Sequence, residues 1–302
     1  MKRWVVREGD GATVREILAR MREGEGAIEE GRVFLGKKRV SRGDAPVRAG
    51  DEVRLGAPEA AHAEKAILFV EDGIAATIKP AGIPTVADHA GASHAFVAVV
   101  AREIGRPASD LRVTSRLDRE VSGVVLFALD AAAETRLREA RAAGAYARRY
   151  VAVARGTPAT GHGVWREPIG RGKDARHRAA DGADAKEAET RWRVVAHAGG
   201  HVLLALEPVT GRTHQLRVHA SHHGLPLLGD RDYGGESRVV VAGGRVVALA
   251  RIALHCARVA ASGVVAEAPI PEDLARAWTS LGGDAEAWEK ATSCALSAEP
   301  SS

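Results

Sequence analysis

The sequence predicts an α+β fold built on one mixed, mainly antiparallel sheet with flanking helices, preceded by a small α+β unit. Two observations lead there. Runs of apolar and β-branched residues are separated mostly by glycine-containing turns, as in hairpins, and only a few stretches show helical spacing, too few for a parallel doubly wound sheet. The length, 302 residues, allows two domains at about 100–200 residues each. With 45% hydrophobic and 27% charged residues the chain is an ordinary globular one, which excludes disorder and collagen. Aromatics are only 4%, so the core must come mainly from Val, Leu, Ile and Ala.

The first helix is expected from Thr13 to Glu23, where Val14, Ile17, Leu18 and Met21 share a face and Thr13 with Glu16 forms a capping box. Gly24 and Gly26 end it. Residues 27–40 read as two short strands broken by glycine, and residues 49–55 as a third. Lys37, Lys38 and Arg39, with Arg32 and Arg42 nearby, form a basic turn able to track phosphates. Standing alone, such a run is more often a solvated turn. These features define a module over residues 1–56, followed by an alanine-rich linker at 57–66.

The larger domain is expected over residues 67–290. Ile67–Val70 and Ile74–Lys79 are strands joined at Asp72-Gly73, and Ser93–Ile104 reads as a helix. The run Val124–Leu129 is apolar throughout, as a buried central strand would be. Asp130 caps a helix that Gly144 closes. Tyr150–Val153 is another strand, and Thr190–Ala196 pairs with Val202–Leu206 across Gly199-Gly200. Between them, residues 161–186 are polar and read as a mobile surface loop. Val239–Val241 and Val246-Val247 form a further hairpin, and residues 291–302 a disordered tail.

The net charge of +4 tilts the partner toward a polyanion. Cys256 and Cys294 are too few and too far apart for a disulfide framework, which fits a reducing compartment. The start, Met1 to Val6, lacks the apolar stretch of a signal peptide, and no window approaches the roughly 18 apolar residues of a membrane span. The expectation is a cytoplasmic protein with no membrane partner.

Two segments carry chemistry. In Ser115-Arg116-Leu117-Asp118-Arg119 one carboxylate lies between two guanidinium groups just before the apolar strand. Flanking positive charge favours the ionised form, which suits a nucleophile or electrostatic stabiliser, although ordinary loop ion pairs look the same. In Pro208 to His219, an extended backbone would put Gln215, Arg217 and His219 on one face. His214, His219, His222 and His223 cluster, but no Cys, Asp or Glu sits among them at ligand spacing, so no metal is expected. Leu228 is expected as an apolar cleft wall. Neither a phosphate-binding glycine loop nor a G-x-S-x-G elbow is present.

In order along residues 67–278, these segments resemble the RluA-type RNA pseudouridine synthases. Ile78-Lys79-Pro80-Ala81-Gly82 is similar to the family's lysine-proline segment, and Arg116-Leu117-Asp118-Arg119 with Ser122-Gly123 to its catalytic-aspartate motif. Arg148-Arg149-Tyr150 resembles the strand carrying the family tyrosine, and residues 210–219 with Gly229-Asp230 and Tyr233-Gly234 the longest signature. Leu254-His255-Cys256-Ala257 and Ala268-Pro269-Ile270-Pro271 resemble the C-terminal ones. Ser115 stands where the family usually has histidine, and Val121 where it usually has threonine. Residues 4–55 are similar to the small RNA-binding module that several such synthases carry.

The resemblance implies a pseudouridine synthase-type sheet crossed by the active cleft, acting on RNA, without cofactor or metal, as a monomer. It implies Asp118 as nucleophile, Arg217 as its charged partner and Tyr150 stacking on the uracil and taking part in proton removal. Arg116 would fill the space of a flipped nucleotide. Arg119, Lys79, Arg212, His214 and Gln215, with Lys37, Lys38 and Arg39 of the module, would bind RNA. Large-subunit ribosomal RNA is favoured over transfer RNA. A non-catalytic RNA-binding or ribosome-assembly factor is the alternative, and a zinc hydrolase on the histidine cluster a third reading.

Overall fold

A computed structural model describes residues 2–24, 26–29, 33–36, 38–55, 66–86, 95–172, 178–180, 182–294 and 296. The N-terminal region holds its own four-stranded sheet, with Glu52–Leu55 between Lys2–Val5 and Val33–Leu35 and with Lys38–Arg39 at the edge. The helix Val14–Arg20 lays Val14, Ile17 and Leu18 on this sheet, against Val33, Val53 and Leu55. The expected capping box is not the one observed: Glu16 Oε2 accepts from Ala12 N at 2.6 Å, one residue before the N-cap, and the Thr13 side chain makes no cap bond. Residues 27–29, expected in a strand, belong to a single helical turn, Gly26–Glu29. Lys37, Arg32 and residues 57–65 of the expected linker lie outside the described residues.

The larger sheet runs in the order His162–Trp165, Thr190–Ala198, His201–Pro208, Ala147–Arg155, Leu254–Ala261, Ser122–Ala128, Ile74–Lys79, Ile67–Glu71. Every pairing along it is antiparallel except that of Leu254–Ala261 with Ser122–Ala128. Alternation decides the two faces. On Ala147–Arg155, Tyr150, Ala152 and Ala154 enter one core, which the helices Phe96–Ile104 and Ala131–Ala142 cover with Phe96, Val100 and Leu137. Val151 and Val153 enter a second core on the opposite face, under the helices Glu272–Ser280 and Ala287–Ser293 with Leu274, Trp278 and Trp288. Burial on both faces explains why Ser122–Ala128 is apolar almost throughout and wholly buried. Each fully buried Leu, Val or Phe contributes about 1.5–3 kcal/mol.

Three expectations are corrected. Residues 161–186 are not one irregular loop: they contain His162–Trp165 and a three-stranded sheet of Arg178–Ala180, Ile169–Arg171 and Ala183–Lys186. Short strands with exposed faces carry too little apolar alternation to be read from sequence. The tail does not begin at 291, because Ala291 is fully buried within Ala287–Ser293. Gln215–His222 is a helix, so Gln215, Arg217 and His219 do not share the one face that an extended backbone would give them. Among the described residues, no helix is long and apolar enough to cross a membrane.

Candidate functional site

Asp118 lies in the connection between Arg112–Val113 and Ser122–Ala128, and its neighbours on both sides are anchored. Thr85 Oγ1 donates to Leu117 O at 2.9 Å and accepts from Leu117 N at 3.0 Å. Arg119 O accepts from Gly82 N at 2.7 Å and from Lys79 Nζ at 3.2 Å. The loop leaves into the strand at Gly123, whose φ of 125° and close approach to the Cys256 backbone leave no space for a Cβ. Asp118 is therefore held at both flanks while its own side chain stays 30% exposed.

Arg217 comes from the helix Gln215–His222, which starts after His214 in the left-handed region at φ 58°. In the helix, Gln215 and His219 are four apart and share the face that meets Thr190, so Arg217 points elsewhere. Its Nε and Nη2 donate to the two oxygens of Asp230, both at 2.7 Å, and Nη2 also donates to Asp232 Oδ2 at 2.9 Å. The remaining Nη1 reaches Asp118 Oδ2 at 3.4 Å. Burial works against the Arg217 charge, but Asp230, Asp118 and Asp232 outweigh it and raise its pKa. The guanidinium is also 4.8 Å from the centre of the Tyr233 ring. It is thus a fixed cation that orients Asp118 without tying up both carboxylate oxygens.

His214 Nε2 lies 3.9 Å from Asp118 Oδ2, and its Nδ1 is 2.8 Å from Tyr233 Oη. Tyr233 Oη accepts from Arg178 N and shares a hydrogen bond with His214 Nδ1, which fixes the ring with Nε2 toward Asp118. Burial lowers the His214 pKa, so the ring is neutral at pH 7. Tyr150 lines the same cleft as Asp118, and burial pushes its phenol well above the ordinary value. It is a neutral donor at physiological pH.

Two connected hollows meet at Asp118. One of about 370 Å³ is lined by Tyr150, Arg116, Arg212, His214 and Arg217, with apolar walls from Leu117, Leu216 and Leu254. The other, about 920 Å³, adds Arg119, Asp230 and Arg251 and shares Arg116, Asp118, His214 and Arg217. A partly exposed carboxylate beside a buried cation, under an apolar wall and amid arginines, can attack or stabilise an electron-poor carbon of a polyanionic substrate.

Several expected roles are corrected. Lys79 is fully buried and donates to Pro80 O and Ile83 O at 2.8 Å as well as to Arg119 O, so it cannot face a phosphate. Burial pulls its pKa down to about 7. Gln215 accepts from Thr210 Oγ1 and Arg212 N and donates to Glu189 O and Thr190 Oγ1, so its amide holds the loop rather than RNA. Leu228 packs in the second core with Val151 and Val153 and lines neither hollow. The histidines are divided among local partners: His219 between Thr190 and Glu167 O, His223 on Glu167. Lys38 and Arg39 line a shallow groove of the N-terminal sheet with Arg42, which is paired to Asp44. Sequence reasoning assigned no role to Asp232 or Arg251, and placed Asp230 and Tyr233 only within the longest signature. The acids of the Gly229 to Gly234 turn were the available signal, since a buried arginine needs carboxylates.

The profile of the RNA pseudouridylate synthase family matches residues 74–222. The chain is 34% identical over 224 residues to an RNA pseudouridine synthase of Zymomonas mobilis, covering 72% of this chain and 97% of that one. It is 32% identical over 234 residues to ribosomal large subunit pseudouridine synthase D of Xanthomonas campestris, covering 72% and 70%. The solved human RNA pseudouridylate synthase domain containing 4 has the same fold, with a TM-score of 0.57 at 21% identity over 72% of this chain and 93% of that one.

Proposed function

Since the chain belongs to the RNA pseudouridine synthase family, we propose that it isomerises specific uridines of large-subunit ribosomal RNA, with Asp118 as the nucleophile. The observation that carries this reading is the Asp118 carboxylate, 3.4 Å from the buried Arg217 guanidinium and open to both basic hollows. The name of the Xanthomonas relative supports ribosomal over transfer RNA.

In the reaction the bond between uracil N1 and ribose C1′ breaks, Asp118 bonding to the sugar or the uracil and later departing as carboxylate; the uracil turns, C5 bonds to C1′, the C5 proton leaves and N1 takes up a proton. Atoms and charge are conserved, so no redox partner enters. Arg217 stays ionised throughout and keeps Asp118 aimed; the Tyr150 ring offers the detached uracil a face. Because Tyr150 is neutral, proton removal through its oxygen requires its own proton to depart in the same step. Arg116 occupies the place of the everted nucleotide, and Arg119 and Arg212 hold phosphates.

The test is Asp118→Asn, assayed by tritium release from ribosomal RNA labelled at uracil C5. Product is expected to vanish while RNA affinity persists; an active variant would remove Asp118 from the chemistry. Mapping pseudouridines in a deletion strain then identifies the uridine, and a missing site in transfer RNA would overturn the ribosomal assignment. A non-catalytic assembly factor would leave the map unchanged.

A further inference from the structure

Beyond the reacting centre, the smaller hollow has a wall to which no role has been given. Among its described lining residues five are arginines and Asp118 is the only carboxylate. Arg217 is neutralised by Asp230 and Asp232, but Arg141 and Arg148 form no ion pair among the described residues. Arg148 Nη2 donates to Thr210 O at 2.8 Å and Pro208 O at 3.2 Å, and its buried Nε has no acceptor. Arg141 lies over the Tyr146 ring at 4.9 Å, and Arg148 is 6.0 Å from the same ring. The Tyr146 hydroxyl is 3.0 Å from Ser115 Oγ. Burial and then the nearby Arg148 lower the Arg141 pKa, so the two cations repel with no anion between them.

Two like charges held on one aromatic platform, at the edge of a cleft, need a counter-charge from outside the chain. We propose that Arg141 and Arg148, set by Tyr146 and Ser115, form a phosphate subsite that takes one RNA backbone phosphate adjacent to the reacting nucleotide. The proposal rests on the reading of the cleft as an RNA site and names how the strand leaves it. A phosphate there would place its negative charge between the two guanidinium groups and fix the strand's direction past Asp118. The competing explanation is that Arg141 serves its own helix, since it stands in the last turn of Ala131–Ala142, where a cation is favoured.

The test measures binding, so it does not depend on turnover. Affinity for a short single-stranded oligouridylate is followed against salt for the full-length protein, Arg141→Gln and Arg141→Lys. Arg141→Gln should weaken binding roughly tenfold near 0.1 M salt and reduce the slope of log K on log salt by about 0.7, the change expected when one single-strand phosphate is no longer neutralised. Arg141→Lys should restore the slope. Replacing the phosphates by neutral methylphosphonates should weaken wild-type binding more than binding by Arg141→Gln. An unchanged slope in Arg141→Gln overturns the subsite, and a fall in Tm with normal affinity assigns Arg141 to its helix instead. If wild type binds with the expected slope but releases no tritium, the catalytic reading fails and the phosphate site stands.

Discussion

The Arg217 guanidinium has little access to water, its side chain being 5% exposed, and Asp230 beside it is fully buried. Removing either partner strands the other charge in a low dielectric, which costs about 3–5 kcal/mol. Asp230→Ala is therefore expected to lower stability by that amount and to reduce kcat more than it raises KM, because Asp118 loses its aim while the arginines of the cleft remain. Urea unfolding with steady-state kinetics checks this; wild-type Tm and kcat together would show that Asp230 does not position Arg217. The motif placed Arg217 in the site beside Asp118, but its two nearer carboxylates were not visible. They follow it by thirteen and fifteen residues, a separation that no helical or strand period connects.

At the scale of elements, the strand Leu254–Ala261 is the seam of the site. It pairs with the strand of Tyr150 on one side and with the strand that follows Asp118 on the other. Its His255 Nδ1 is 2.8 Å from Ser122 Oγ, which also accepts from Arg251 Nη1 at 3.0 Å, and Arg251 is forked onto Asp273 of the helix Glu272–Ser280. Burial, then the charge of Arg251, lowers the His255 pKa to about 3. The folded ring thus stays neutral where the unfolded one, titrating near 6.5, takes up a proton. Between those values the unfolded state binds more protons, so stability falls as pH drops from 6.5 toward 3, by up to roughly 1.4 kcal/mol per pH unit. His255→Gln should flatten this acid limb in urea titrations at pH 7 and 5, and an identical slope would exclude His255 as its source.

For the whole molecule, the basic groove of the N-terminal sheet and the two hollows at Asp118 offer separate cationic surfaces to one polyanion. Replacing Lys37 and Lys38 by Ala should weaken RNA binding and lower its salt slope by about 0.7 for each phosphate left without a cation, with kcat retained at saturating RNA. A slope equal to wild type would leave the N-terminal unit with another task. The residues alone determined the α+β class, most strands and hairpins of the larger sheet and the capped helix at Asp130, because periodicity and turn chemistry are local in the chain; the resemblance of the motifs implied Asp118, Tyr150 and Arg217 as a set, and the three line one hollow. Tertiary structure alone decided that Lys79 and Gln215 face carbonyls and amides instead of solvent, that Leu228 lies behind the sheet, and that Asp230, Asp232 and Arg251 belong to the site. Burial depth and charge partnership are set by which distant segments the sheet brings together, and a one-dimensional pattern does not contain those distances.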